Sequence, residues 1–129
     1  MKIYTVLIFL MLISCKEYVE VNPENLSGQW KLYESMSSDG ARQITHKNSA
    51  DIKILFENSG KFSQIIIEKN YAGTYTIEEG KVTLSYFPND SVALFDVALT
   101  KNSMTLQPLA EDGSFGCDEG CAEVYRRQD

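Results

Sequence analysis

The sequence predicts an all-β chain: an eight-stranded antiparallel up-and-down barrel entered through one short helical turn. Three observations lead there. Past the first twenty-odd residues, no apolar pattern of period 3.6 runs long enough for a sizeable helix. Alternating apolar and polar runs recur roughly every ten residues, separated by turn residues. Most joints are short, so consecutive strands pair antiparallel, and full closure is the arrangement that leaves no unpaired edge. A two-sheet sandwich is the competing architecture, but it usually needs longer crossover connections than most of these joints provide.

The helical signal is Asn22-Pro23-Glu24-Asn25-Leu26, in which Asn22 can cap, Pro23 suits the first helical position and Gly28 ends the turn. Strands are then expected over residues 29–36, 50–57, 61–68, 72–78, 81–87, 92–100, 103–108 and 122–127. Asn58-Ser59-Gly60, Glu79-Gly80 and Lys101-Asn102 supply the Gly and Asn that tight hairpins require. Two connections are longer, 37–49 and 110–120, and loops of that length tend to be functional or mobile. At period two, Tyr71, Gly73, Tyr75 and Ile77 share a face, as do Val82, Leu84 and Tyr86, and Phe95, Val97 and Leu99. Those faces should point inward together. An eight-stranded barrel of this kind is either filled by its side chains or holds one small ligand.

The composition fits one domain: 129 residues, 43% hydrophobic and 23% charged, which is close to the globular average. With 12 Lys+Arg against 18 Asp+Glu, the formal charge is −6. The acidic balance, without a basic cluster, argues against nucleic acid as a partner, because affinity for phosphate backbones depends on basic contacts.

The N-terminus reads as an export signal. Lys2 precedes an apolar run through Ile13 that falls short of the ~20 residues of a spanning helix. Its tail, Leu12-Ile13-Ser14-Cys15, resembles the bacterial lipobox, which implies cleavage before Cys15 and lipidation of that cysteine. Two or more acyl chains hold a protein stably to a membrane. The expected organisation is a lipoprotein signal peptide over 1–14, an anchor and tether over 15–25 and the barrel over 26–129. The expected location is the bacterial envelope, as an outer-membrane lipoprotein. Lys16-Glu17-Tyr18-Val19-Glu20 partly resembles the export signals of surface lipoproteins in the Bacteroides/Flavobacterium group, and reads equally as a solvated spacer.

Gly28-Gln29-Trp30, opening the first strand after a helical turn, resembles the start of a lipocalin or related calycin barrel. The order continues with a long connection, a strand bearing Phe56, Gly73-Thr74-Tyr75 and a closing Tyr125-Arg126. That order is similar to the small lipocalin-like lipoproteins of Bacteroidota, over roughly residues 26–127. The resemblance implies that Gly28 and Trp30 belong to the closed end, with a basic residue of the last strand packed over the indole. Arg126 is the expected partner, on the strand phase of Ala122 and Val124, and Arg127 is the alternative. The inward faces give the expected function, a small apolar or amphipathic ligand held in the barrel and walled by Tyr75, Tyr86 and Phe95, with the 37–49 connection as lid. A filled barrel whose loops contact a partner protein is the competing reading. No second lipocalin motif of the Thr-Asp type stands near the sixth and seventh strands, and no helix follows the barrel. The sequence does not indicate an oligomeric state.

No enzyme constellation emerges. Cys117 and Cys121 flank Asp118-Glu119-Gly120, and in an exported protein such a pair reads first as a disulfide across a tight turn, with free thiols as the alternative. His46 is the only histidine and lies in a polar connection, which limits both metal and nucleophile–base chemistry. Glu111, Asp112, Asp118 and Glu119 lack the order of a calcium loop and read as a solvated rim. Nothing places any two of the strand acids Glu34, Glu68 and Asp96 together, as glycoside chemistry would need. The chain is therefore expected to work without catalysis, metal or cofactor.

Overall fold

The computed structural model describes residues 17–38, 40–114, 116 and 121–128. The helical turn forms as expected: in α1 (Pro23–Leu26) the Asn22 side chain accepts from the Asn25 amide at 2.7 Å. Nine strands follow among the described residues: β1 (Gly28–Ser38), β2 (Gln43–Lys47), β3 (Ile52–Phe56), β4 (Lys61–Ile66), β5 (Lys69–Glu78), β6 (Lys81–Tyr86), β7 (Val92–Leu99), β8 (Ser103–Leu109) and β9 (Cys121–Gln128). Every pairing is antiparallel, and β9 returns to β1 to close the sheet.

The barrel itself has eight walls. β2 pairs with the far half of β1, from Glu34↔Lys47 to Ser38↔Gln43, and β3 pairs with its near half, from Lys31↔Lys53 to Gly28↔Phe56. The two are halves of one interrupted wall strand. Asn48 fills the break: its amide donates to Tyr33 O at 2.9 Å, and its side-chain nitrogen to Leu32 O at 3.2 Å and Ala50 O at 2.7 Å. The connection expected as a free lid over 37–49 is therefore largely a β-hairpin. β2 lacked a strand signature because only Ile44 in it is even partly buried, so backbone pairing rather than apolar burial holds it.

Residues paired across antiparallel strands share a face, so the register gives the interior directly. Trp30, Ile54, Phe56, Phe62, Tyr75, Val82, Leu84, Val97, Leu99, Met104, Leu106 and Tyr125 fill the end where β1 begins. This closed end is sealed from outside. Leu26 of α1 is fully buried beneath the barrel, and its carbonyl accepts from Trp30 Nε1 at 2.9 Å. The segment expected as a loose tether is also held there. Tyr18 forms a β-bridge with Thr100, the Val19 amide donates to Leu99 O at 2.9 Å, and Val19 and Val21 pack against the core.

The arginine over the indole is Arg127, not Arg126. Its guanidinium carbon lies 4.2 Å from the Trp30 ring centroid. Nη1 donates to Ser27 O at 2.7 Å, Nη2 to Asn25 O at 2.8 Å and Nε to Lys101 O at 2.9 Å. Arg126 stacks instead on Tyr33, 3.4 Å from that ring's centroid, on the outer face. The register explains the exchange. Trp30 faces Arg127 and Leu32 faces Tyr125, so the odd residues of β9 point inward, and Ala122 and Val124 are outward despite being apolar. Gly28 has φ of +121°, and a Cβ there would stand 2.8 Å from Arg127 Nη1, so glycine leaves the room that the guanidinium occupies.

Candidate functional site

At the other end of the wall strands the inward face mixes polar with apolar side chains. Gln64 and Ile66 of β4, Tyr71 of β5 and Tyr86 of β6 meet the turn that carries Phe87, Pro88, Asn89 and Ser91. Together they line a cavity of about 420 Å³ that opens to solvent. Two features of the chain place Tyr71 there. β5 begins at Lys69, earlier than the alternation suggested, because the hairpin turns at Ile67 and Glu68, both in the left-handed region with φ of 47° and 68°. Register then sets Tyr71 opposite Gln64.

The rings are arranged edge to face. Tyr86 lies 5.1 Å from Phe62 and 6.3 Å from Tyr71 by ring centroids, both at 89°. Its hydroxyl donates to Gln64 Oε1 at 2.9 Å. Deeper in the barrel, Glu123 of β9 lies opposite Leu106 and Ser35 and therefore projects inward, where one carboxylate oxygen accepts from the Tyr125 hydroxyl at 2.8 Å. Burial first and the Glu123 charge second push the Tyr86 phenol above its ordinary value. The same two causes, with the hydrogen bond to Glu123, push Tyr125 much further up. The inward face thus carries two hydrogen-bonded polar pairs, Tyr86 with Gln64 and Tyr125 with Glu123.

Of the three expected wall residues, only Tyr86 lines this cavity. Tyr75 is buried in the closed half, edge-on to Phe56 at 5.1 Å, with its hydroxyl donating to Glu57 O at 2.6 Å, so it is a core residue. Phe95 packs against the core and borders a separate depression with Ala93 and Pro108. The expected lid contributes nothing to the lining of the mouth cavity. Gln64, Phe87 and Glu123 were not singled out from the sequence. Period-two alternation from Phe62 and Tyr125 would have found Gln64 and Glu123, but both are polar residues at positions where apolar ones were sought.

Several expected residues lie elsewhere. His46 is exposed on β2 opposite Ser35. Glu34 lies on β1, Asp96 on β7 and Glu68 in the β4–β5 turn, so the strand acids are dispersed. Among the described residues no group of three or more His, Cys, Asp or Glu could hold a metal, and no helix is long and apolar enough to cross a membrane. Cys15, Cys117, Asp118 and Glu119 lie outside the described residues; Cys121 opens β9.

Residues 26–106 match the family model of the lipocalin-like domain. No curated protein matches the chain in sequence. Among solved structures, a lipocalin-like protein from Bacteroides uniformis superposes with a TM-score of 0.61 at 19% identity, covering 81% of this chain and 99% of that one. An uncharacterized protein from Bacteroides eggerthii gives a TM-score of 0.59 at 18% identity, covering 80% of this chain and 99% of that one. At such identities the two structures speak for the fold, which agrees with the Gly28-Gln29-Trp30 opening, the eight-walled barrel and the Trp30–Arg127 closure. With the family match spanning more than half of its length, the chain belongs to the lipocalin-like domain family.

Proposed function

We propose that the protein binds a small apolar or amphipathic molecule at the barrel mouth, without catalysis, while held to the bacterial outer membrane through lipid on Cys15. The observation behind the binding reading is the cavity itself. Its volume of about 420 Å³ falls within the ~300–1,000 Å³ typical of small-ligand sites. Ile66, Tyr71, Tyr86 and Phe87 give it apolar walls, and Gln64 gives it a fixed polar group. Because the closed half is filled, the ligand occupies only the upper barrel and stays partly open to water. In an exported protein, a bond between Cys117 and Cys121 would brace the start of β9 beside this mouth.

The test is to incubate the purified protein with a lipid extract of the bacterial envelope, re-isolate it and identify co-purified small molecules by mass spectrometry. A defined molecule retained by the parent and lost in Tyr86→Ala supports the reading; a parent that retains nothing overturns it. A partner protein is the second reading, favoured by Ile67, Phe87 and Val92, which are 63%, 58% and 63% exposed around the same mouth. Anchoring is tested separately. Cys15→Ala should lose acylation and leave the membrane fraction, and a variant processed and fractionated like the parent would refute the anchor.

A further inference from the structure

Among the described strand residues a single carboxylate projects into the barrel. Glu123 projects inward between Ser35 and Leu106, and only one of its oxygens is engaged within the protein, by the Tyr125 hydroxyl at 2.8 Å. Glu123 is half-buried and its second oxygen is not a buried atom left without a partner, so that oxygen keeps some exposure inside the barrel. No lysine or arginine pairs with Glu123 among the described residues, and the core beneath it is apolar. Its hydrogen-bond partner Tyr125 is a neutral phenol, and the exposed His46 lies on the same face across Ser35. At the rim, Lys69 is exposed and stands beside Glu68, with Asp90 in the neighbouring turn, so the entrance carries no positive excess.

We propose that the mouth selects an amphiphile with a positively charged, N–H-donating head, an amine rather than a carboxylate, and that Glu123 receives that head. This deepens the reading of the mouth as a ligand site and rests on it. A carboxylate in a partly dry barrel repels an anionic head and forms a charge-assisted hydrogen bond with an ammonium, which is shorter and stronger than a neutral one. The Tyr71 and Tyr86 rings add faces that attract a cation as it passes them. The apolar tail then lies against Ile66 and Phe87.

The experiment uses three probes of equal chain length, decylamine, decanol and decanoate, titrated calorimetrically into the purified protein below their aggregation concentrations. Decylamine is expected to bind about tenfold more tightly than decanoate, with decanol between them. Glu123→Gln should bring the affinities of decylamine and decanoate together, and added salt should narrow the gap in the parent. Decanoate binding as well as or better than decylamine overturns the selectivity but leaves the ligand site standing, as does a Glu123→Gln variant with the parent's ratio. If even decanol fails to bind, the ligand site falls together with the selectivity. The comparison of the three probes on the parent protein does not depend on the variant folding.

Discussion

The guanidinium of Arg127 donates to three backbone carbonyls and stacks on Trp30, whereas that of Arg126, one residue away, rests on Tyr33 at the surface. The two should respond differently to truncation. Trp30→Ala should cost about 3–5 kcal/mol as a large-to-small core change. Arg127→Ala should cost about 2 kcal/mol, since charged hydrogen bonds to otherwise unpaired carbonyls are lost. Arg126→Ala should cost less than about 1 kcal/mol, as an exposed cation–π contact does. Urea denaturation of the three variants checks the order, and equal losses for the two arginines would contradict this account of the closed end. The tyrosines give a second expectation, in pH. Tyr75, Tyr86 and Tyr125 are all raised, chiefly by burial, so the folded state keeps protons that the unfolded chain releases near pH ~10. Their stabilisation is intact below that pH and is lost as pH rises above it. Thermal melts from pH 8 upward should fall most steeply beyond pH ~10, and Tyr125→Phe should flatten the fall; a melting temperature level to pH 11 would contradict it.

Eight of the nine strands could be read from alternation and turn chemistry, because most of their inward residues are apolar and most of their joints carry Gly or Asn. β2 could not, since the sequence Gln-Ile-Thr-His-Lys shows no apolar face and the strand exists because the far half of β1 needs a partner. The β4–β5 turn escaped for the opposite reason. Ile67 is β-branched, and nothing in its identity signals a left-handed backbone. The choice between Arg126 and Arg127 hinged on the phase of β9: its odd residues face Trp30 and Leu32, so apolar Ala122 and Val124 lie on the outer face and pointed to the wrong arginine. Where Gly73 of β5 pairs with Tyr86 of β6, the approach is close enough to require glycine. A Cβ on Gly73 would stand 1.8 Å from Ser85 O and 2.9 Å from Phe62 Cε1. Gly73→Ala should push the strands apart at the floor of the mouth and cost ~3 kcal/mol or more, beyond ordinary overpacking. Circular dichroism melts would show this, and a variant as stable as the parent would mean that the wall yields there.

Taken whole, the barrel has an apolar half closed by α1 and a half open at the rim, and the candidate site belongs to the open one. The candidate site was less legible than the fold because sequence alternation locates surfaces that exclude water, whereas Gln64 and Glu123 matter for being polar where exclusion ends. The docking of Tyr18 and Val19 on the β7–β8 turn bears on how the molecule stands in its surroundings. From Cys15 to Tyr18 the chain has three peptide steps, about 11 Å at full extension. Acyl chains on Cys15 would thus draw α1 and the Lys101-Asn102 turn down to the headgroups and point the rim at the aqueous space, so cargo would arrive from solution or from a facing carrier instead of from the membrane underfoot. Trp30, the sole tryptophan, sits in the half that would lie nearest the headgroups. In vesicles bearing headgroup spin labels its emission should be quenched, and a flexible insert between Cys15 and Tyr18 should restore it; emission indifferent to both would mean that the barrel stands clear of the bilayer or lies on its side.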